Sequence, residues 1–355
     1  MIPLNHPSIG AEEREAVARV FDSGQLSTGA EVAAFEAEFA AFVGAPEAVA
    51  VSNGTAALWL GLWAAGIGPG DEVIVPSFTF AATAGTVVQT GAAPVFADID
   101  ARTYCLGADT VRAHIGPRTA AVVAVHLYGH PAPVDELSSL CQQHGLLLVE
   151  DAAQAHGTRW RGTHVGGFGD FGAFSFYPTK NMTTGEGGML TTSNADLAQR
   201  ARSLRNHGLD APHHHRWPGT NARMTEMAGA IGRVQLKHLP DWVDRRRANA
   251  AWLTERLAGL VSTPWVHPEA DHSYSLYTVR CADRPRLVRA LDDAGVGFGI
   301  YYPVGCHRQP AFGGPEADLP ETERACAEVI SLPVRPDLTK KELAAVAAAV
   351  AVGAA

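Results

Sequence analysis

At 355 residues, with 46% hydrophobic and 18% charged side chains, the chain can form a large domain with a smaller companion and is too apolar to be disordered. Its net charge of -9 speaks against a nucleic-acid partner, which needs a basic face, and no apolar run reaches the ~18 to 20 residues that span a bilayer. The five scattered cysteines include no C-x-x-C pair and read as reduced thiols of a cytoplasmic protein, and the start MIPLNHPSIG lacks the features of a secretion signal.

Short apolar runs at 48–51, 72–75, 94–97, 120–126, 146–150, 173–176 and 189–192 read as strands, with helical patterns between them at 55–65, 81–90 and 134–144. Strands apolar on both faces that alternate with helices predict an α/β fold, a mostly parallel sheet flanked by helices on both sides. Ligands gather at the carboxyl ends of such strands. From about residue 241 the texture changes to a charged helix over 242–257, a strand over 274–280, a helix over 286–294 and an alanine-rich helix after 338. The expected division is a large domain over 1–240 and a smaller α+β domain over 241–355.

Three features fall at strand ends. Ser52-Asn53-Gly54-Thr55-Ala56 follows the first strand and opens a helix, where free N–H groups and the helix dipole suit a phosphate; the same residues also make an ordinary N-cap. The strand at 146–150 runs into Glu150-Asp151-Ala152-Ala153-Gln154, which sets a carboxylate at the ligand-bearing edge or caps the next turn. Lys180 stands within GAFSFYPTKNMTTGEGG, with no other cation nearby and Ser175 just upstream. Alone it is either a lysine at a strand end or one held for its amine chemistry. Together the three match the needs of pyridoxal 5'-phosphate: a lysine for the Schiff base, an acid facing the ring nitrogen and a cradle for the phosphate.

These stretches, with Thr28-Gly29, Gly68-Pro69-Gly70-Asp71-Glu72-Val73, Pro94-Val95-Phe96-Ala97-Asp98-Ile99-Asp100 and Thr179-Lys180-Asn181, resemble the DegT/DnrJ/EryC1/StrS aminotransferases over about residues 2–312. Members are fold-type I pyridoxal-phosphate enzymes that aminate nucleotide-linked keto sugars, often in secondary metabolite biosynthesis, or keto-cyclitols in some branches. The resemblance implies that Lys180 carries the Schiff base and shuttles a proton, Asp151 pairs with the pyridinium nitrogen and Gln154 bonds the ring's phenolic oxygen. It also implies that Gly54, Thr55 and Ala56 hold the phosphate with Ser175, and that Phe80 stacks on the ring. Asn221, in Asn221-Ala222-Arg223, would reach the phosphate of a partner subunit, so the implied enzyme is a homodimer with a shared site. An amino acid, L-glutamate by this resemblance, donates the amino group and a ketone receives it. A related dehydratase branch carries histidine where Lys180 stands, so lysine favours transamination.

The match loosens at Ala222, where family members often have an aromatic residue, at Tyr301, where histidine is common, and at Gly305-Cys306, where a proline-containing turn is common. These changes either reshape the substrate pocket or are neutral, leaving the same chemistry on a keto-cyclitol or other small ketone as the alternative. A cofactor-binding sensor without catalysis is a third reading, for which no DNA-binding segment is visible. Gly167, Gly169 and Gly172 satisfy G-x-G-x-x-G but precede a strand, where a dinucleotide site needs a helix. His213-His214-His215 has no acid or cysteine at ligand spacing, so no metal is expected. His156 either tunes Asp151 or is simply packed, and Trp59 and Trp63, four residues apart, read as core or interface.

Overall fold

The computed structural model describes residues 1–313 and 317–354; within the expected second domain, residues 314–316 and 355 lie outside the described residues. The seven strands expected before residue 241 all form, each within two residues of its expected ends. They are β1 (Glu47–Val51), β2 (Glu72–Pro76), β3 (Ala93–Ala97), β4 (Thr119–Val125), β5 (Leu147–Asp151), β6 (Phe171–Ser175) and β7 (Gly188–Thr192). They build one sheet in the order β1-β7-β6-β5-β4-β2-β3. β7 runs antiparallel to β1 and β6, and the remaining pairings are parallel.

Helices cover both faces: α1 (Ala11–Ser23), α2 (Ala30–Val43), α3 (Gly54–Ala64), α4 (Ala81–Gln89), α5 (Ala108–Arg112), α6 (Val134–His144), α7 (Ala195–Leu204) and α8 (Glu226–Leu257). Alternate residues of β1 enter opposite cores, Val49 and Val51 on the α3 side and Ala48 and Ala50 on the α2 side. α3 lies close against β6 because Gly61 has no side chain; a Cβ there would sit 2.2 Å from the Phe171 ring.

No element was expected over the residues of α1 and α2. The N-terminus of α2 is capped from far along the chain, where the Glu226 carboxylate accepts the N–H groups of Gly29, Glu31 and Val32 at 2.7, 2.9 and 3.0 Å. The helix expected from 242 begins at Glu226, capped by Thr225 Oγ1 on Ala228 N, and runs through Pro240. Proline costs an intrahelical hydrogen bond, offset here by burial of Ala230, Val234, Leu236 and Leu239 against α1 and α2. Residue 240 therefore falls within a continuous helix that serves both parts of the molecule. Beyond it, β8 (Tyr277–Arg280) pairs antiparallel with β9 (Val329–Leu332), a strand not expected from the sequence. α9 (Arg284–Asp293), α10 (Pro320–Glu328) and α11 (Lys340–Ala354) complete this region. Leu253, Leu257, Tyr277, Leu287, Ile330 and Val346 make a separate core there. Among the described residues no helix is long and apolar enough to cross a membrane.

Register decides what meets at the carboxyl edge. Because β7 is antiparallel, its first residue, Gly188, pairs with both Val51 and Ser175, the last residues of β1 and β6. On the other flank Asp151 pairs with Val125 and Ala173. The turn before α3, the end of β5 and the end of β6 thus open onto one space.

Candidate active site

A cavity of about 790 Å³ occupies that space, and Gly54, Thr55, Phe80, Asp151, Gln154, Ser175 and Lys180 all line it. Gly54 is pressed against the end of β6 so closely that a Cβ would lie 2.6 Å from Ser175 Cβ. This close approach holds the start of α3 and the Ser175 hydroxyl side by side, a cradle that any larger residue would fill. Ala56 does not line the cavity; its N–H is taken by Asn53 Oδ1 at 2.8 Å, so the helix-start donors left for an anion are those of Gly54 and Thr55. Asn221 is exposed, in an isolated bridge with Asn206, and is not part of its own chain's cavity.

Asp151 is buried at the end of β5. Its Oδ2 accepts the Thr83 hydroxyl at 2.8 Å and its Oδ1 accepts Ala153 N–H at 3.2 Å. Burial raises its carboxyl above the usual range, against the pull of those hydrogen bonds and of Lys180. Lys180 is half-buried, and burial lowers its ammonium pKa while Asp151 opposes the shift. A lysine whose charged form is penalised is closer to a free amine, the form that attacks a carbonyl.

The adjacent acid is structural. Glu150 is fully buried and accepts the N–H groups of Gly166, Phe168 and Gly169 at 2.7, 2.7 and 2.8 Å, with His126 Nε2 at 3.0 Å. His126 Nδ1 accepts Ala132 N–H, which leaves Nε2 as the donor to Glu150. Burial works against the Glu150 anion, yet these bonds hold its carboxyl below the usual range. The glycines at 167–172 serve this cradle and the entry to β6, since a Cβ on Gly169 would lie 2.4 Å from Leu148 O.

Gln154 is locked on both sides: Oε1 accepts Tyr128 N–H at 2.8 Å and Nε2 donates to Tyr302 Oη at 3.1 Å. Tyr302 and Tyr301 form the cavity wall from the C-terminal region. Their segment is tied to the loop after β2: Ser77 Oγ and His307 Nδ1 are 2.6 Å apart, and His307 Nε2 donates to Glu323 at 2.9 Å. Gly305 belongs to this clamp, because a Cβ there would lie 2.9 Å from His307 Nδ1 and from Thr322 Cγ2. Glycine at this departure from the family pattern therefore follows from local packing.

Thr83, Tyr128, Tyr302 and Glu186 escaped the sequence reading. Only Thr83 had a local signal, one helical turn beyond Phe80. His156 is fully buried between Phe174 and Phe176; neither ring nitrogen has a hydrogen-bond partner among the described residues, and burial lowers its pKa to about 3. It is a packed histidine with no bond to Asp151. His214 pairs with Asp210 at 2.5 Å on an exposed hairpin, and Trp59 and Trp63 stack on each other, half-buried.

An anion cradle, an exposed aromatic face at Phe80, a buried carboxylate and a desolvated amine converge at the carboxyl edge of an α/β sheet; the molecule is an enzyme of amine chemistry. The model of the DegT/DnrJ/EryC1/StrS aminotransferase family matches residues 7–351, and the chain belongs to that family. It is 44% identical over 343 residues to the dTDP-3-amino-3,4,6-trideoxy-alpha-D-glucose transaminase of Streptomyces venezuelae, covering 95% of this chain and 90% of the relative. It is also 44% identical over 346 residues to the erythromycin biosynthesis sensory transduction protein EryC1 of Saccharopolyspora erythraea, covering 96% and 94%. The crystal structure of S. venezuelae DesV in complex with a ketimine intermediate superposes with a TM-score of 0.94 at 44% identity, over 97% of this chain and 94% of that one. The protein is an aminotransferase with the fold-type I architecture.

Proposed function

We propose that the protein is a cytoplasmic homodimer that moves an amino group from L-glutamate to the keto group of a nucleotide-linked sugar, with pyridoxal 5'-phosphate held in the cavity. The observation that carries this reading is the meeting of Lys180 and Asp151 in one cavity with the Gly54–Ser175 cradle. When bound, the cofactor supplies an electron sink and a carrier for the amino group. Gly54 and Thr55 N–H groups, with the Thr55 and Ser175 hydroxyls, would hold its phosphate. Phe80 would lie against its ring, Gln154 would bond the phenolic oxygen and Asp151 would face the ring nitrogen. The raised carboxyl pKa of Asp151 suits that role, since a buried carboxylate gains most from a cation brought beside it. Lys180 would bond the cofactor through its amine and, when displaced, move a proton at the substrate carbon.

The cavity's charges support a shared site. Among the described residues lining it, Lys180 is the only cation, set against Asp151 and Glu186. A sugar nucleotide brings a diphosphate, whose charge calls for cations from a second subunit. The name of the S. venezuelae relative supports the sugar-nucleotide class. In the same reading the chain divides into a cofactor domain over 1–240 and a smaller domain over 241–355, hinged on α8.

The test is the visible spectrum of protein loaded with pyridoxal 5'-phosphate, before and after L-glutamate. A band that glutamate converts, and that Lys180→Ala never shows, is expected. No band even with excess cofactor would overturn the reading. Turnover of a keto-cyclitol in preference to a keto sugar nucleotide would replace the substrate class and leave the chemistry.

A further inference from the structure

Tyr302 has a hydroxyl proton that meets no acceptor among the described residues. It lines the cavity with Gln154 and Asp151, its ring 6.1 Å from Phe80 and 6.2 Å from Phe78. Its oxygen accepts Gln154 Nε2 at 3.1 Å. The amide orientation is set by the bond from Tyr128 N–H to Oε1, so the nitrogen is the atom that meets the phenol. A phenol carries one proton, and no described residue accepts it. Burial pushes the phenol pKa above its ordinary value, which keeps that proton in place. A donor facing a cavity is satisfied by water until a ligand displaces the water, and the ligand must then offer an acceptor.

Gln154 and Tyr302 do not serve one atom. The two amide protons of Gln154 diverge by about 120°. With one of them on Tyr302 Oη at 3.1 Å, an acceptor on the other lies roughly 5 Å from that oxygen. If Gln154 takes the cofactor's ring oxygen, the phenol proton is left for the second ligand. We propose that Tyr302 donates a hydrogen bond to the carbonyl oxygen of the keto sugar and so holds and polarises the carbon that is aminated.

This inference rests on the function proposed above. In the step concerned the amine nitrogen bonds to the carbonyl carbon, the carbonyl electron pair moves onto the oxygen, and that oxygen leaves as water with both amine hydrogens. Tyr302 keeps its own proton throughout. The donor is rigidly placed, because Tyr128 Oη donates to the backbone oxygen of Tyr301 and the Ser77–His307 clamp follows a few residues on.

The test uses cofactor-loaded protein, L-glutamate, and dTDP-3-keto-4,6-dideoxyglucose, the ketone corresponding to the amino sugar in the S. venezuelae relative's name. In Tyr302→Phe, which keeps the ring, the rate of the ketone half-reaction is expected to fall by about 10²-fold. The pH midpoint of the visible band should stay within a few tenths of a unit. Tyr302→His, which offers an N–H, should recover part of the lost rate. A shifted midpoint would assign the phenol to Gln154 and the cofactor and overturn the proposal. An unchanged ketone rate would overturn it too. A wild-type protein that responds to glutamate but leaves the ketone untouched would instead sink the sugar reading, and this assignment with it.

Discussion

Thr83 donates its hydroxyl to Asp151 Oδ2 at 2.8 Å, and Thr79 Oγ1 stands 3.0 Å behind it, so two buried hydroxyls in series orient the carboxylate at the end of β5. Both come from the loop and helix that also present Phe80. The support of the acid and the aromatic wall is therefore one element.

Removing the Thr83 hydroxyl tests that support. Thr83→Val keeps the volume and deletes the bond, which lets burial raise the Asp151 carboxyl further. The acid limb of the pH–kcat profile should move to higher pH, kcat at neutral pH should fall about tenfold, and stability should drop by about 1 to 2 kcal/mol. A profile that loses height without moving its acid limb would contradict the role.

Acid stability follows from the buried histidines. Burial holds His130 at about 4 and His156 at about 3, and takes His272 well below its ordinary value. The unfolded imidazole titrates near ~6.5, so between these values the unfolded chain binds more protons and stability rises with pH. The contribution is intact above about pH 6.5 and is lost as pH falls toward the folded values. Glu150, whose folded pKa is depressed, adds a further loss below the ordinary carboxylate range near ~4.3. Urea unfolding should show level stability above about pH 7 and a decline below it of about 1.4 kcal/mol per unit for each histidine. Stability unchanged between pH 7 and 4.5 would be inconsistent with neutral burial of these rings.

The exposed position of Asn221, outside its own cavity, gives a third prediction. Lys180→Ala and Asn221→Ala should each be nearly inactive alone, by about 10²-fold or more. Mixed, unfolded and refolded together, they should regain up to about a quarter of wild-type activity, because half of the dimers would carry one intact site. No recovery from a refolded mixture that forms mixed dimers would show that Asn221 acts within its own subunit or not at all.

The strands were legible because a sheet buried on both faces writes near-continuous apolar runs, and the turn residues between them are local. The same holds for the strand-end strings that carry Gly54, Asp151 and Lys180. The sequence by itself therefore determined the α/β class, the edge where the candidate site lies and the lysine and carboxylate that line it. It did not reveal the N-terminal cap of α2, which is Glu226, nearly 200 residues away. Nor did it show the partners of Glu150 and Asp151, neighbours in β5 whose side chains meet different groups. Only the tertiary structure decided those, along with the Gln154–Tyr302 bond across 148 residues and the Ser77–His307 clamp across 230. Contacts of this kind are made by packing between distant segments, and nothing in the local spacing of residues encodes them.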